Sequence, residues 1–132
     1  MDYTQGRRKS VIIKKFDLAI WPLICYEAIF PHEVRVSNQV VDVFVNVTND
    51  TWYGNSSGPY QHLEISRMRA IENGLPMLRV ANNGISAFID PVGRILSKTE
   101  LNQVTVLDNY VPKKLSEETF FSKYNPSILL IQ

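Results

Sequence analysis

This chain of 132 residues is poor in the side chains that build disulfide and metal sites, with one cysteine and two histidines. A single thiol excludes an internal disulfide. His32 and His62 stand too far apart for the short ligand spacings of a zinc site, so neither a metal nor another cofactor is expected. Charge of one sign is also scarce: the net value is +1, which leaves no electrostatic footprint for nucleic acid or an anionic membrane. No apolar run approaches the roughly 18–20 residues that a membrane helix requires. The opening Met1-Asp2-Tyr3-Thr4 lacks the charged-then-apolar pattern of an export signal. Internal repeats and low-complexity segments are absent too, and the chain taken alone reads as soluble.

What remains is the composition of a folded domain, 45% hydrophobic and 20% charged. Arg7-Arg8-Lys9, next to Val11-Ile12-Ile13, reads as the solvated flank of a strand. Strands are expected over 11–15, near a sheet edge, and over 19–24. Phe30-Pro31 opens a short helix over 32–36, since proline suits a first turn. The β-branched run 41–47 suits an inner strand covered on both faces. A polar loop over 49–57 carries Trp52 and Tyr53. Gly58-Pro59 and Asn73-Gly74 then bracket a helix of about 15 residues, with Leu63 and Met68 on a loose buried stripe. Asn-Gly within Ala81-Asn82-Asn83-Gly84 joins a strand over 77–80 to one over 85–89. The turn Asp90-Pro91-Val92-Gly93 leads to strands at 95–96 and 104–107. A polar, loop-like tail over 112–125 ends in Ile128-Leu129-Leu130-Ile131. This order of elements describes an α/β sheet layer.

Chemistry centres on Cys25. A lone cysteine ending an apolar run is most often a small buried hydrophobe. Here the thiol falls where a strand gives way to a helical start, where unpaired backbone N–H groups favour a thiolate or an oxyanion. The position is like the nucleophile elbow of hydrolases, although the Gly-x-Ser-x-Gly spacing is missing. Glu27 follows two residues later and either supports the site or is a solvated loop acid. Neither histidine lies in a Cys-His signature, and His62, early in its helix, suits a polar role near the cap. Asn49 and Asp50 end the inner strand, where open α/β sheets place their sites. Trp52 and Tyr53 either line a pocket mouth or anchor the loop.

The segment Pro22-Leu23-Ile24-Cys25-Tyr26-Glu27 with Phe30-Pro31 resembles the nucleophile motif of the nitrilase, or carbon–nitrogen hydrolase, superfamily. Within it, the sequence looks like the bacterial apolipoprotein N-acyltransferase branch. Matching segments follow in order: Asn49-Asp50-Thr51-Trp52-Tyr53-Gly54, Gly58-Pro59-Tyr60-Gln61-His62-Leu63, Met68-Arg69-Ala70-Ile71-Glu72, Arg79-Val80-Ala81-Asn82-Asn83-Gly84-Ile85-Ser86 and Asp90-Pro91-Val92-Gly93. Soluble amidases of the superfamily usually carry aspartate where Glu27 stands and arginine where Ile29 stands; glutamate at 27 and the Gly58-Pro59-Tyr60-Gln61-His62 stretch favour the acyltransferase branch.

The resemblance implies an α/β fold, about the second half of an α-β-β-α sandwich, with 1–111 forming a partial catalytic domain. Residues 112–132 would be a polar tail ending in the start of a membrane helix. It implies transfer of an acyl chain from phospholipid to the amino terminus of a diacylglyceryl-cysteine on an apolipoprotein. Cys25 would be the nucleophile and would form a thioester. Tyr26 would give its backbone N–H to the oxyanion, Glu27 would be a supporting carboxylate, and Trp52 and Tyr53 would border the lipid entrance. Family members act at the bacterial inner membrane with a periplasmic site. Their triad adds a glutamate and a lysine well upstream of the cysteine. Only 24 residues precede Cys25 here, and Lys9, Lys14 and Lys15 do not match the lysine motif. The expectations are therefore weak stability and negligible activity alone, and a separately encoded upstream piece as partner. A small nitrilase-type amidohydrolase and a non-catalytic remnant are the alternatives.

Overall fold

A computed structural model describes residues 9–36 and 39–124. Six strands form one sheet in sequence order: β1 (Val11–Ile13), β2 (Leu18–Ile24), β3 (Val43–Thr48), β4 (Met77–Ala81), β5 (Ala87–Ile89) and β6 (Ile95–Lys98). The three central strands β2, β3 and β4 are parallel, and the flanking pairs are antiparallel. Parallel neighbours need crossover connections. The β2–β3 crossover holds a 3-10 turn, Cys25–Ile29, and helix α1 (Pro31–Val34). The β3–β4 crossover holds a second 3-10 turn, Thr51–Tyr53, and helix α2 (Gly58–Asn73). The segment Cys25–Ile29 packs against α2, so both crossovers cover the same face of the sheet.

The expected α/β layer is present, and β1 is an edge strand as its sequence suggested. Helix α2 begins with proline in its first turn and ends at Gly74, whose φ of 63° is left-handed; its N–H returns to Ala70 and Ile71 carbonyls. Three expectations need correction. Met68 is exposed, and the buried side of α2 is instead Pro59, His62, Leu63, Ser66, Arg69, Ala70 and Asn73. That face is largely polar, which is why an apolar stripe was hard to read. Residues 104–107 form no strand: Val104 and Val106 are solvent-exposed, because β-branched residues without a neighbouring strand to pair with gain nothing from extension. The tail is tied down as well as polar. It contains a one-turn helix, α3 (Phe120–Lys123), capped by Thr119, and Arg35 donates to the carbonyls of Phe121, Ser122 and Lys123. The expected apolar end at 128–131 lies outside the described residues.

Side chains alternate across the strands, and register turns that alternation into rows. Facing α2, Trp21, Phe44, Met77 and Ile89 form an apolar row near the start of the parallel strands. One step toward their carboxyl ends, the next row is Leu23, Asn46, Arg79 and Ala87. Apolar core thus gives way to polar residues at the end where α/β sheets carry their chemistry. The opposite face carries Pro22, Ile24, Val47 and Val80, all exposed, so β3 is an inner strand as expected but is not covered on both faces.

Candidate active site

Cys25 is the first residue after β2 and the first of the 3-10 turn that follows. Its φ is 48°, a left-handed conformation that costs a non-glycine residue about 1–2 kcal/mol. Such strain is typical of a side chain aimed by a sharp strand-to-turn corner. Two interactions hold the corner. Asn46 Nδ2 donates to the carbonyl of Leu23 at 3.1 Å and lies 3.5 Å from that of Cys25. Glu27 accepts from the Ile24 N–H at 2.6 Å, so this carboxylate fixes the turn that carries the thiol. The Cys25 side chain is partly exposed, and its Sγ lies 3.3 Å from the hydroxyl of Thr48, the last residue of β3.

Beneath the thiol, Asp50 is the hub. Its Oδ1 accepts from Thr48 Oγ1 at 3.1 Å and from His62 Nδ1 at 2.9 Å, and its Oδ2 accepts from Arg79 Nη2 at 2.7 Å. Asp50, His62 and Arg79 are all buried. Arg79 also donates from Nη1 to Asn46 at 2.6 Å and to Ser66 at 3.0 Å, and from Nε to the Ile85 carbonyl. Burial alone would raise the Asp50 carboxyl, but the His62 hydrogen bond and the Arg79 charge outweigh it and hold its pKa below the usual value. The same burial lowers Arg79, against the attraction of Asp50. An ionised Asp50 is an acceptor only, so His62 carries its hydrogen on Nδ1 and its approach to Arg79 Nη2 at 3.2 Å is a contact.

Asn82-Asn83-Gly84 has a role that its turn chemistry did not announce. Asn82 accepts from the Asp50 backbone N–H, and Gly84 lets the 82–86 loop close over the Asp50 side chain. A Cβ at Gly84 would sit 2.7 Å from Asp50 Cβ and Cγ, and closer still to Oδ2. Gly84 does not have positive φ; it is needed for proximity.

Of the residues expected at the site, Cys25, Tyr26, Glu27 and Tyr53 lie together. Rings of Tyr26 and Tyr53 stand 5.8 and 5.7 Å from that of His62. Burial raises the Tyr53 hydroxyl to about 12, with the Tyr26 hydroxyl and the Asp50 charge adding to the rise. Trp52, in the same turn as Tyr53, is 88% exposed. His62 is not a cap-side polar residue: it is buried against Asp50, because the first turns of α2 face the sheet. Its hydrogen-bonded route to Cys25 runs through Asp50 and Thr48. Lys14 and Lys15 lie in the β1–β2 turn, at the far end of β2 from Cys25. That separation is about 20 Å by strand rise. Thr48 and Arg79 are site residues that the sequence does not single out, since the Cys25 partner of Thr48 is 23 positions away and the Asp50 partner of Arg79 is 29. The available signal was a polar residue inside each of two apolar strands, Asn46 in β3 and Arg79 in β4.

The sequence model for the family described as Carbon-nitrogen hydrolase matches residues 4–119. The chain is 60% identical over 132 residues to an apolipoprotein N-acyltransferase of Rickettsia bellii, covering 99% of this chain and 26% of that protein. It is 46% identical over 110 residues to the apolipoprotein N-acyltransferase of Brucella melitensis, covering 83% of this chain and 21% of that one. The chain thus spans about a quarter of the length of such relatives. Among solved structures it is similar to a carbon–nitrogen hydrolase from Helicobacter pylori, with TM-score 0.63 and 16% identity over 77% of this chain and 43% of that one. A variant amidase from Nesterenkonia sp., with an acetamide moiety covalently added at its active site cysteine, gives TM-score 0.57 and 20% identity over 76% of this chain and 40% of that one. These likenesses support a partial nitrilase-like fold.

Proposed function

The chain belongs to the carbon–nitrogen hydrolase family, and from that premise we propose that it is the cysteine-bearing part of a lipoprotein N-acyltransferase. The observation that carries this reading is the placement of Cys25, partly exposed on a strained corner at the carboxyl end of a parallel strand. Similarity to the named N-acyltransferases directs the choice of reaction.

In the proposed reaction, the Cys25 thiolate attacks the ester carbonyl of a phospholipid. The sulfur–acyl bond forms, the alkoxide of a lysophospholipid leaves, and it takes up the proton that the thiol gave to the general base. The free amino group of a diacylglyceryl-cysteine then attacks the thioester, forming an amide and returning the thiol. Splitting the transfer in this way gives ping-pong kinetics. The first turn of Cys25–Ile29 offers backbone N–H groups, that of Tyr26 first, to the negative oxygen of each tetrahedral intermediate. Glu27 contributes by holding the corner through the Ile24 N–H. Trp52, exposed on the loop beside Tyr53, borders the path of the acyl chain.

Among the described residues, the hydrogen-bond partner of Sγ is the Thr48 hydroxyl, which is neither a base nor a cation. On this reading the general base and the oxyanion lysine are supplied by a separately encoded upstream piece, as the family resemblance implies. Exposed Pro22, Ile24, Val47 and Val80 on the uncovered sheet face are where that piece would pack. Alone, the chain is expected to be inactive, because loss of a general base and of one oxyanion donor each costs a factor of about 100 or more. The test joins this chain to the upstream portion of a relative, supplies phospholipid, and looks for the acyl mass on Cys25 by mass spectrometry. An acyl-thioester that the Cys25→Ala variant lacks is expected. Its absence overturns the reading, and release of ammonia from simple amides would replace it with an amidase.

A further inference from the structure

We infer that Thr48 is a positioning residue for Cys25, its hydroxyl turning between two partners as the thiol loses its proton. The hydroxyl lies 3.3 Å from Cys25 Sγ and 3.1 Å from Asp50 Oδ1, and it has one hydrogen to give. Asp50 cannot donate. While Cys25 is a thiol, Thr48 donates to Asp50 and its lone pair accepts from S–H. Once the thiol proton passes to a base, the sulfur becomes an acceptor and the Thr48 hydrogen turns to it. Asp50 tolerates the turn, because His62 at 2.9 Å and Arg79 at 2.7 Å still satisfy its two oxygens. Hydrogen bonds to an ionised partner are the stronger ones, so the rotation favours the thiolate.

The arrangement explains why three buried polar side chains converge under a partly exposed thiol. His62 and Arg79 hold the acceptor that fixes the hydroxyl, and among the described residues that hydroxyl is the hydrogen-bond partner of the sulfur. Charged and titratable groups facing Cys25 are Asp50 after β3, His62 on α2, Arg79 on β4, Tyr53 in the loop, and Tyr26 and Glu27 on its own turn. Among the described residues the hydrogen-bond partner of the sulfur is Thr48, whose hydroxyl can accept from a thiol or donate to a thiolate with no change in its own charge.

The inference rests on reading Cys25 as the nucleophile, but the two fail separately. A missing acyl-thioester overturns the nucleophile and leaves the hydroxyl untouched. The test for Thr48 is the pH dependence of alkylation by iodoacetamide on the 132-residue chain, where Cys25 is the only thiol. Thr48→Val is expected to move the midpoint up by about one pH unit, leaving about tenfold less thiolate at a fixed lower pH. Thr48→Ser, which keeps the hydroxyl, is expected to retain the parent midpoint. A Val variant that stays folded by circular dichroism yet keeps the parent midpoint overturns the inference, as does a Ser variant that shifts as far as Val. Should the Val variant not fold, the infrared S–H stretch of the parent decides. A band shifted to the hydrogen-bonded position is expected, and one at the position of a free thiol refutes the contact.

Discussion

Replacing Gly84 with alanine is a one-carbon change that tests the whole buried network. The new methyl would lie 2.7 Å from Asp50 Cβ and Cγ. Ordinary carbon contacts are about 3.5–4.0 Å, so Asp50 or the 82–86 loop must shift by about 1 Å. Overpacking of this kind costs about 1–3 kcal/mol. A shift of about 1 Å also takes the 2.7 Å contact between Arg79 and Asp50 beyond hydrogen-bonding range. Breaking a buried ion pair costs about 3–5 kcal/mol, of which a partial displacement forfeits a part. The expected loss is about 3–5 kcal/mol, against the roughly 5–15 kcal/mol that holds a domain together. With a urea slope near 2 kcal/mol per molar, the unfolding midpoint falls by about 2 M. Gly54→Ala is the control. Its Cβ meets nothing within 4 Å, and its φ of 55° with ψ of −149° makes any loss one of backbone strain, about 1–3 kcal/mol. Were Gly84 present only for flexibility, alanine would stabilise by about 0.4–1 kcal/mol. An unchanged or raised midpoint for Gly84→Ala therefore refutes the close-approach argument.

Asp50 makes the fold sensitive to acid. Its folded pKa is depressed, so its contribution is present above the unfolded value near 3.8 and is lost as pH falls through the lower folded value. Thermal melts from pH 7 downward should show that decline, while Asp50→Asn should be about 3–5 kcal/mol weaker at pH 7 and flatter in acid. Tyr53 has the opposite sign. Its folded pKa is raised to about 12, so its contribution is present below the ordinary value of 10 and lost as pH rises through 12. An ultraviolet titration should show one tyrosine ionising last, and Tyr53→Phe should remove that step. Trp52→Ala, at an 88% exposed position, should alter stability by less than about 0.5 kcal/mol in urea unfolding. A larger change would mean that Trp52 anchors the loop.

Features with local causes were legible in the sequence. Pro59 and Gly74 bound α2 because proline fits a first turn and glycine accepts a left-handed φ, and both signals need only adjacent residues. The β-branched run of β3 marked an inner strand, and the Asn-Gly signal found the β4–β5 hairpin, although its loop is five residues long. Cys25 was legible through its place at a strand end. Features whose cause is a distant partner were not. Arg79 and Asp50 are 29 positions apart, and His62 reads as a surface polar residue until α2 is laid across the sheet. The polar side of α2 defeats apolar periodicity because Ser66 and His62 are there to satisfy a strand residue and a loop residue rather than to fill space.

That distinction decides how the site should be understood. A buried guanidinium in the second row of the central parallel strands is tolerable only if acceptors come to it from several elements. Here they come from Asn46 on β3, Ser66 on α2, the Ile85 carbonyl and Asp50 beyond β3. An arrangement that costs so much desolvation is a poor choice for stability alone, since an apolar core of the same volume would serve as well or better. The network meets the partly exposed thiol through Thr48, whose hydroxyl lies 3.3 Å from the Cys25 sulfur. The buried network and the strained thiol are thus two ends of one structure. A double substitution of Thr48→Val with Asp50→Asn should therefore move the thiol midpoint no further than Thr48→Val alone. Additive shifts in the same alkylation assay would separate the two ends and refute the coupling.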